Sequence, residues 1–173
     1  MARHSFEKDN QLDDWDELFE IMLPRLYHYF CYRVGDGRVA EDLTAETFES
    51  AWRNRHHYQS DKGLWSNWVF GIARRVTADY FRQHRKDIQL DSISKLLPGP
   101  SAEESYEHRA DFRLLAHFLS LFPDRECELV ALKYGAELTN RSIAQLAGLS
   151  ESNVGTILNR VVARLRSRWE DEQ

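Results

Sequence analysis

Apolar residues recur three and four positions apart through long stretches of this 173-residue chain, the spacing of one face of an α-helix. No stretch alternates as a strand would. Helix breakers are few, with 8 Gly and 4 Pro, so the expected fold class is all-α. The first ten residues look frayed. Trp15, Leu18, Phe19 and Met22 then mark a helix face. Pro24 lacks an N–H and disfavours the helical state at Leu23, which predicts a break or kink before a second stretch, Arg25 to Val34. Gly35-Asp36-Gly37 ends it. The next helix, about Arg38 to Arg55, has a core face of Ala40, Leu43, Thr44, Thr47, Phe48 and Ala51. Asp42, Glu46 and Glu49, spaced i, i+4, i+7, form its opposite face. That face reads as an acidic docking surface or as plain solvated charge.

After the loop Gln59 to Gly63, a helix runs from about Trp65 to Arg85, apolar first and basic at its end, which suits the helix dipole. Pro98-Gly99-Pro100-Ser101 cannot continue a helix, and serines dilute residues 87–105. A structureless stretch of that length joins two domains more readily than it sits inside one. The expected organisation is a frayed segment 1–10, a first helical domain 11–86, a flexible linker 87–110 and a second helical domain 111–173. Such a linker permits open and compact arrangements alike.

The second domain opens with a helix from Asp111 to Phe122 and a second from Pro123-Asp124 to about Tyr134, ended by Gly135. Thr139 or Asn140 can cap a short helix through Ala147, and Ser150 a longer one from Glu151 to about Trp169. Small Ala144, turn-forming Gly148 and apolar Val154 fit a helix-turn-helix. They also fit an ordinary helical hairpin. The last helix would present Ser152, Asn153, Thr156, Asn159, Arg160 and Arg164, side chains suited to base edges and phosphates.

The charge is banded. Net charge is −5 overall, but residues 54–86 carry 7 Lys and Arg against 2 Asp and Glu, whereas residues 1–53 carry 6 against 12. A polyanion is drawn to the basic band and repelled by the acidic one. The basic band also holds Tyr58, Trp65, Trp68, Phe70, Tyr80 and Phe81. Rings beside cations suit unstacked bases. Tyr58 and Trp65 flank the loop and are the candidates for base contact. Trp68, Phe70 and Phe81 read as core.

Other classes find little support. The longest run without a formal charge, Gly63 to Ala73, is 11 residues, too short to span a bilayer. The segment Met1 to Phe6 starts no apolar signal, so the expected location is cytoplasmic. Two cysteines, Cys31 and Cys127, make no disulfide framework, and no second pair supports a zinc site at His28 and Cys31. No phosphate loop, nucleophile elbow or HExxH is present. No enzyme, metal or cofactor is expected.

Arg25-Leu-Tyr-His-Tyr-Phe, Val34-Gly-Asp and Ala40-Glu-Asp-Leu-Thr-Ala-Glu-Thr-Phe-Glu-Ser-Ala-Trp-Arg53 resemble conserved region 2 of bacterial RNA polymerase sigma factors of the sigma-70 family. Trp68 to Arg75 and Asp79 to Arg82 continue the likeness. Leu121 to Glu126, Ile143 to Ser150 and Val154-Gly-Thr156 resemble region 4. The chain is similar to the extracytoplasmic-function (ECF) group, which keeps only these two regions.

The resemblance implies that Asp42, Leu43, Thr44, Glu46 and Glu49 dock on core RNA polymerase. It implies that Arg55, Tyr58, Lys62, Trp65, Asn67, Arg74, Arg75, Arg82 and Arg85 open and hold the −10 element of promoter DNA, one flipped base sitting in a loop pocket. Arg141, Ser150, Ser152, Asn153, Thr156, Asn159, Arg160 and Arg164 would read the −35 element. An anti-sigma factor would hold the chain inactive, and the free chain would be a monomer without membrane insertion. Arg75 stands where many members have Asn, and Ser142 where Glu is usual. Leu158 and Ala163 stand where cations are common, which implies fewer phosphate contacts and a shallower salt dependence. The rival reading is a stand-alone helix-turn-helix regulator, which would need a dimerisation face to set half-site spacing. A nuclease would need a metal or acid–base constellation.

Overall fold

The computed structural model describes residues 15–84 and 114–171. The expected frayed segment and linker lie outside the described residues, as does Arg85. Seven α-helices and no strand occur among the described residues, in agreement with the all-α expectation. The first unit holds α1 (Trp15–Val34), α2 (Gly37–Arg53) and α3 (Trp65–Gln83), with 3₁₀ turns at Arg55–His57 and Ser60–Lys62. The second holds α4 (114–120), α5 (Asp124–Val130), a π turn at Ala131–Gly135, α6 (Asn140–Ala147) and α7 (Glu151–Asp171).

The helix ends follow local chemistry. Asp36 caps α2, its Oδ1 accepting from the Arg38 and Val39 N–H groups at 2.9 and 3.2 Å. Thr139 caps α6 by accepting from the Ser142 N–H at 3.1 Å. Each such cap contributes about 1 kcal/mol. Gly148 closes α6 at φ 66°, a left-handed conformation that glycine adopts without Cβ crowding.

Met22, Leu26, Tyr29, Phe30, Ala40, Val69, Phe70 and Ala73 interlock α1, α2 and α3, each at most 1% exposed. Leu129, Leu132, Ile143, Val154 and Val161 are fully buried in the second unit. Burial of each such large aliphatic side chain contributes about 1.5–3 kcal/mol.

Two expectations are corrected. No break occurs at Pro24, and α1 runs through it. Pro24 and Leu23 are exposed while Met22 and Leu26 on either side are buried, so packing of the flanking turns holds the axis despite the lost hydrogen bond. The helix from Asp124 does not stay α-helical to Tyr134. It widens after Val130 into a π turn in which the Ala136 N–H bonds the Ala131 carbonyl at 2.9 Å. The cause is tertiary. Gly135 lies against the α1 backbone, where a Cβ would come within 2.9 Å of the Tyr29 N and Cα.

The two units pack on each other. The Arg25 Nε donates to the Ala136 carbonyl at 2.9 Å. The Arg33 Nη2 pairs with Asp124 at 2.8 Å, and the Arg74 Nε pairs with Glu128 at 2.8 Å. Of the open and compact arrangements, the described residues adopt the compact one.

Candidate functional site

Three surfaces collect the residues singled out by sequence. On α2, Asp42, Glu46 and Glu49 are exposed along one face. Glu49 pairs with Arg53 one turn on. Leu43 and Thr44, which the helical period assigns to the core face and the resemblance to polymerase docking, point into the bundle at 5% and 4% exposure. The Thr44 hydroxyl donates to the Ala40 carbonyl at 2.7 Å. The helical period explains the split, because positions 43, 44 and 47 share the inner stripe with 40 and 51. Leu43 and Thr44 therefore hold the carboxylates' helix in place and offer no surface of their own.

The second surface is the loop before α3. The Tyr58 hydroxyl donates to the Gly63 carbonyl at 3.0 Å and braces the loop from inside. Trp65, predicted as a base-contacting ring, is a core residue at 2% exposure. It stands edge-on to Trp15 at 5.1 Å and to Tyr58 at 5.0 Å. Trp68, predicted as core, is half-buried and lines an open cleft of about 490 Å³. The cleft is walled by Tyr58, Lys62, Leu64, Asn67 and Trp68, and on its far side by Gln145 and Leu146 of α6. Phe70 is fully buried as expected, and Phe81 lies under the Arg33 guanidinium at 5.2 Å.

The cations of this surface differ in setting. Arg75 is exposed on α3. Arg82 pairs with Asp79 at 2.8 Å, and Arg55 stacks on the exposed Trp52 ring at 3.9 Å. Lys62 is exposed at the loop tip. Arg74 reaches the second unit, where it binds both oxygens of Glu128 at 2.8 and 3.3 Å and donates to the Leu146 carbonyl. The Asn67 Nδ2 donates to the Gln145 Oε1 at 2.8 Å.

The third surface is the helix-turn-helix of α6 and α7. Ala144 and Val154 pack at the crossing, 8% and 0% exposed, and the Ser150 hydroxyl accepts from the Asn153 N–H at 3.2 Å to start α7. Ser152, Asn153, Thr156 and Asn159 are exposed along its outer face. The Thr156 hydroxyl donates back to the Ser152 carbonyl at 3.0 Å. Arg141 lies 3.6 Å from Glu151. Arg160 and Arg164, predicted as outward DNA contacts, both turn to Glu126 of α5 at 2.8 and 3.1 Å. Leu158 is 4% exposed, so it is a core residue and not a missing phosphate contact. Ser142 is also buried, 3.2 Å from the Thr139 hydroxyl inside the cap.

Sequence reasoning missed Gln145, Leu146 and Glu128 as neighbours of Asn67 and Arg74. No local signal carries them, since each pairing spans 54 or more positions. Trp68 was within reach, lying one helical turn beyond Trp65. Burial pushes the Cys31 thiol up to about 11, and burial likewise raises Tyr29. Neither group meets the cleft. No helix among the described residues is long and apolar enough to cross a membrane. No cluster of three or more His, Cys, Asp or Glu fit to hold a metal occurs there either.

Comparison with known proteins places the chain in a family. Residues 18–87 match the model of Sigma-70 region 2. The ECF RNA polymerase sigma factor SigM of Bacillus subtilis is 30% identical over 157 residues, covering 89% of this chain and 94% of SigM. The fold is that of the sigma factor RpoE solved with the anti-sigma factor NepR from Bartonella quintana, at TM-score 0.74 and 18% identity over 94% of this chain and 100% of that one. It is also that of CnrH, solved with the cytosolic domain of CnrY, at TM-score 0.62 and 17% identity over 91% of this chain and 86% of that one. With a two-region helical fold and a relative matched nearly end to end, the chain belongs to the ECF RNA polymerase sigma factors of the sigma-70 family.

Proposed function

We propose that the chain is a dissociable, non-enzymatic specificity subunit of core RNA polymerase that directs initiation at promoters with paired −35 and −10 elements. The observation that carries this reading is the order of parts in one chain. An exposed acidic helix face precedes an aromatic-walled cleft that has Lys62 in its lining and opens beside an arginine-bearing helix, and a helix-turn-helix follows. In this reading residues 11–86 form region 2, 87–110 the linker and 111–173 region 4.

The exposed Asp42, Glu46 and Glu49 dock on the polymerase. The cleft beside Tyr58, Lys62, Asn67 and Trp68 receives a base flipped from the −10 strand, and Arg55, Arg74, Arg75, Arg82 and Arg85 hold its backbone. Trp65 stiffens the wall from behind. Ser152, Asn153, Thr156 and Asn159 read base edges at −35, and Arg141, Arg160 and Arg164 position phosphates once docked.

Each contact is weak alone, since the chain is net acidic at −5. Tethering both modules to polymerase makes the second contact intramolecular and raises its effective concentration. The chain works in the cytoplasm as a monomer until it meets polymerase. The structural relatives solved with NepR and CnrY support control by an anti-sigma factor.

The test is reconstitution with bacterial core RNA polymerase, followed by sequencing of transcript starts on fragmented genomic DNA. Co-elution and a shared pair of upstream elements are expected, and both are lost in the Asp42→Arg, Glu46→Arg double variant. A folded, monomeric chain that neither co-elutes nor initiates transcription overturns the reading in favour of a stand-alone regulator.

A further inference from the structure

We infer that the free chain inhibits itself: its own region 4 occupies the −10-reading face of region 2, held there by an arginine latch. The inference rests on the assignment of Asn67 and Arg74 to the −10 contact. In the compact arrangement all three guanidinium nitrogens of Arg74 are committed, two to Glu128 and one to the Leu146 carbonyl. Three of its five N–H donors are spent, and the Glu128 carboxylate adds a negative charge where a phosphate would sit. The amide nitrogen of Asn67 is likewise given to Gln145. Gln145 and Leu146 form the far wall of the cleft. DNA and α6 therefore compete for the same donors.

The latch lies partly away from the DNA face. Arg33, with a side chain only 4% exposed, is held by Asp124 through its carboxylate at 2.8 Å and its carbonyl at 3.3 Å. Gly135 seats the π turn on the Tyr29 backbone with no room for a Cβ. The fit is close but incomplete. The Arg33 Nε and the Asn67 Oδ1 are buried without hydrogen-bond partners among the described residues, and each costs free energy that opening recovers. A closed state with such defects is poised to open. The cover is one-sided, because Ser152, Asn153, Thr156 and Asn159 stay exposed on α7.

The test opens the latch without touching a proposed DNA contact. Gly135→Val wedges the interface, and its backbone has no left-handed φ to strain. Asp124→Ala, Glu128→Gln removes the ion pairs independently. Binding is read by anisotropy with a labelled random 12-nucleotide single strand and, separately, a labelled random duplex, with opening followed by the distance between spin labels on α2 and α7. Both variants are expected to lengthen that distance and to tighten single-strand binding at least tenfold. Since apparent affinity scales with the competent fraction, tenfold corresponds to about one open chain in ten for the wild type. Adding Arg74→Ala to Gly135→Val abolishes the gain, and duplex binding changes less than twofold.

Three outcomes overturn the inference: a wild-type label distance already as long as in the variants, opening without tighter single-strand binding, or an equal gain for duplex. Transcription with core polymerase is scored in parallel. Its absence for wild type and variants alike speaks against the sigma reading, whereas its presence beside any of those three outcomes removes only self-inhibition.

Discussion

Glu126 and Arg160 are joined at 2.8 Å across α5 and α7, with the glutamate side chain only 11% exposed. Arg164 completes the clasp at 3.1 Å and stacks on Phe122 at 4.3 Å. Helix α7 is thus fastened through two residues that sequence alone assigns to DNA. Replacing Glu126 by Gln leaves both arginines without their counter-charge. We expect a loss of about 1–3 kcal/mol of stability, since a buried charged partner is removed while the arginines stay half in solvent. Urea unfolding of the full chain measures it. A change below 0.5 kcal/mol would show that the clasp does not hold α7.

Trp65 and Tyr58 separate in the same way. Trp65→Ala empties the space among Trp15, Tyr58 and Trp68, and we expect a cost of about 3–5 kcal/mol. Tyr58→Phe removes one hydrogen bond to the Gly63 carbonyl, worth about 0.5–1.5 kcal/mol, while keeping the ring. The prediction is that Trp65→Ala fails by unfolding, read by thermal circular dichroism. Tyr58→Phe stays folded and loses order in the loop, read by faster hydrogen exchange at residues 59–64. Equal stability of the two variants would place Trp65 outside the core.

What was legible follows from the range of the interactions. Caps and turns are local, so Thr139, Gly148 and Ser150 are readable from the chain, and so is the inner stripe of α2. The all-α class follows from periodicity. The errors concern partners far away in sequence. Nothing near Arg160 announces Glu126, and nothing near Gly135 announces Tyr29, so local pattern points two cations outward and gives plain helix where the π turn lies. Pro24 misleads for the opposite reason: a local rule is overridden by packing on both sides of it. Leu158 resembles a lost cation only until its burial is seen.

Burial also sets an alkaline limit. Cys31 is 1% exposed, and desolvation of its thiolate raises the thiol from about 9 to about 11. The folded state thus holds this proton more tightly than the unfolded chain. Its contribution is fully present below pH 9 and is lost as pH rises toward 11, because the slope of stability with pH follows the difference in bound protons. Tyr29, also raised by burial, acts in the same direction from about pH 10. We expect unfolding free energy to fall across pH 9–11 and to fall less steeply in Cys31→Ala. A flat profile, or an unchanged slope in the variant, would remove Cys31 as a cause. The native thiol should also resist iodoacetamide at pH 8 until the chain is unfolded.

Leu158 and Ala163 give opposite answers to one substitution. Both stand where a cation would be expected on a DNA-binding helix, but Leu158 is 4% exposed and Ala163 faces solvent. Leu158→Lys forces an ammonium among the apolar residues that hold α7, and we expect a loss of more than 3 kcal/mol with no gain in DNA affinity. Ala163→Arg adds a solvated cation, should change stability by less than about 0.5 kcal/mol, and tightens duplex binding if it meets a phosphate. One added phosphate contact steepens the slope of log affinity against log salt by about 0.9. Titrating duplex binding between 50 and 200 mM salt, a range suited to that slope, distinguishes the two. An unchanged slope for Ala163→Arg would mean that this turn of α7 stands clear of the DNA backbone.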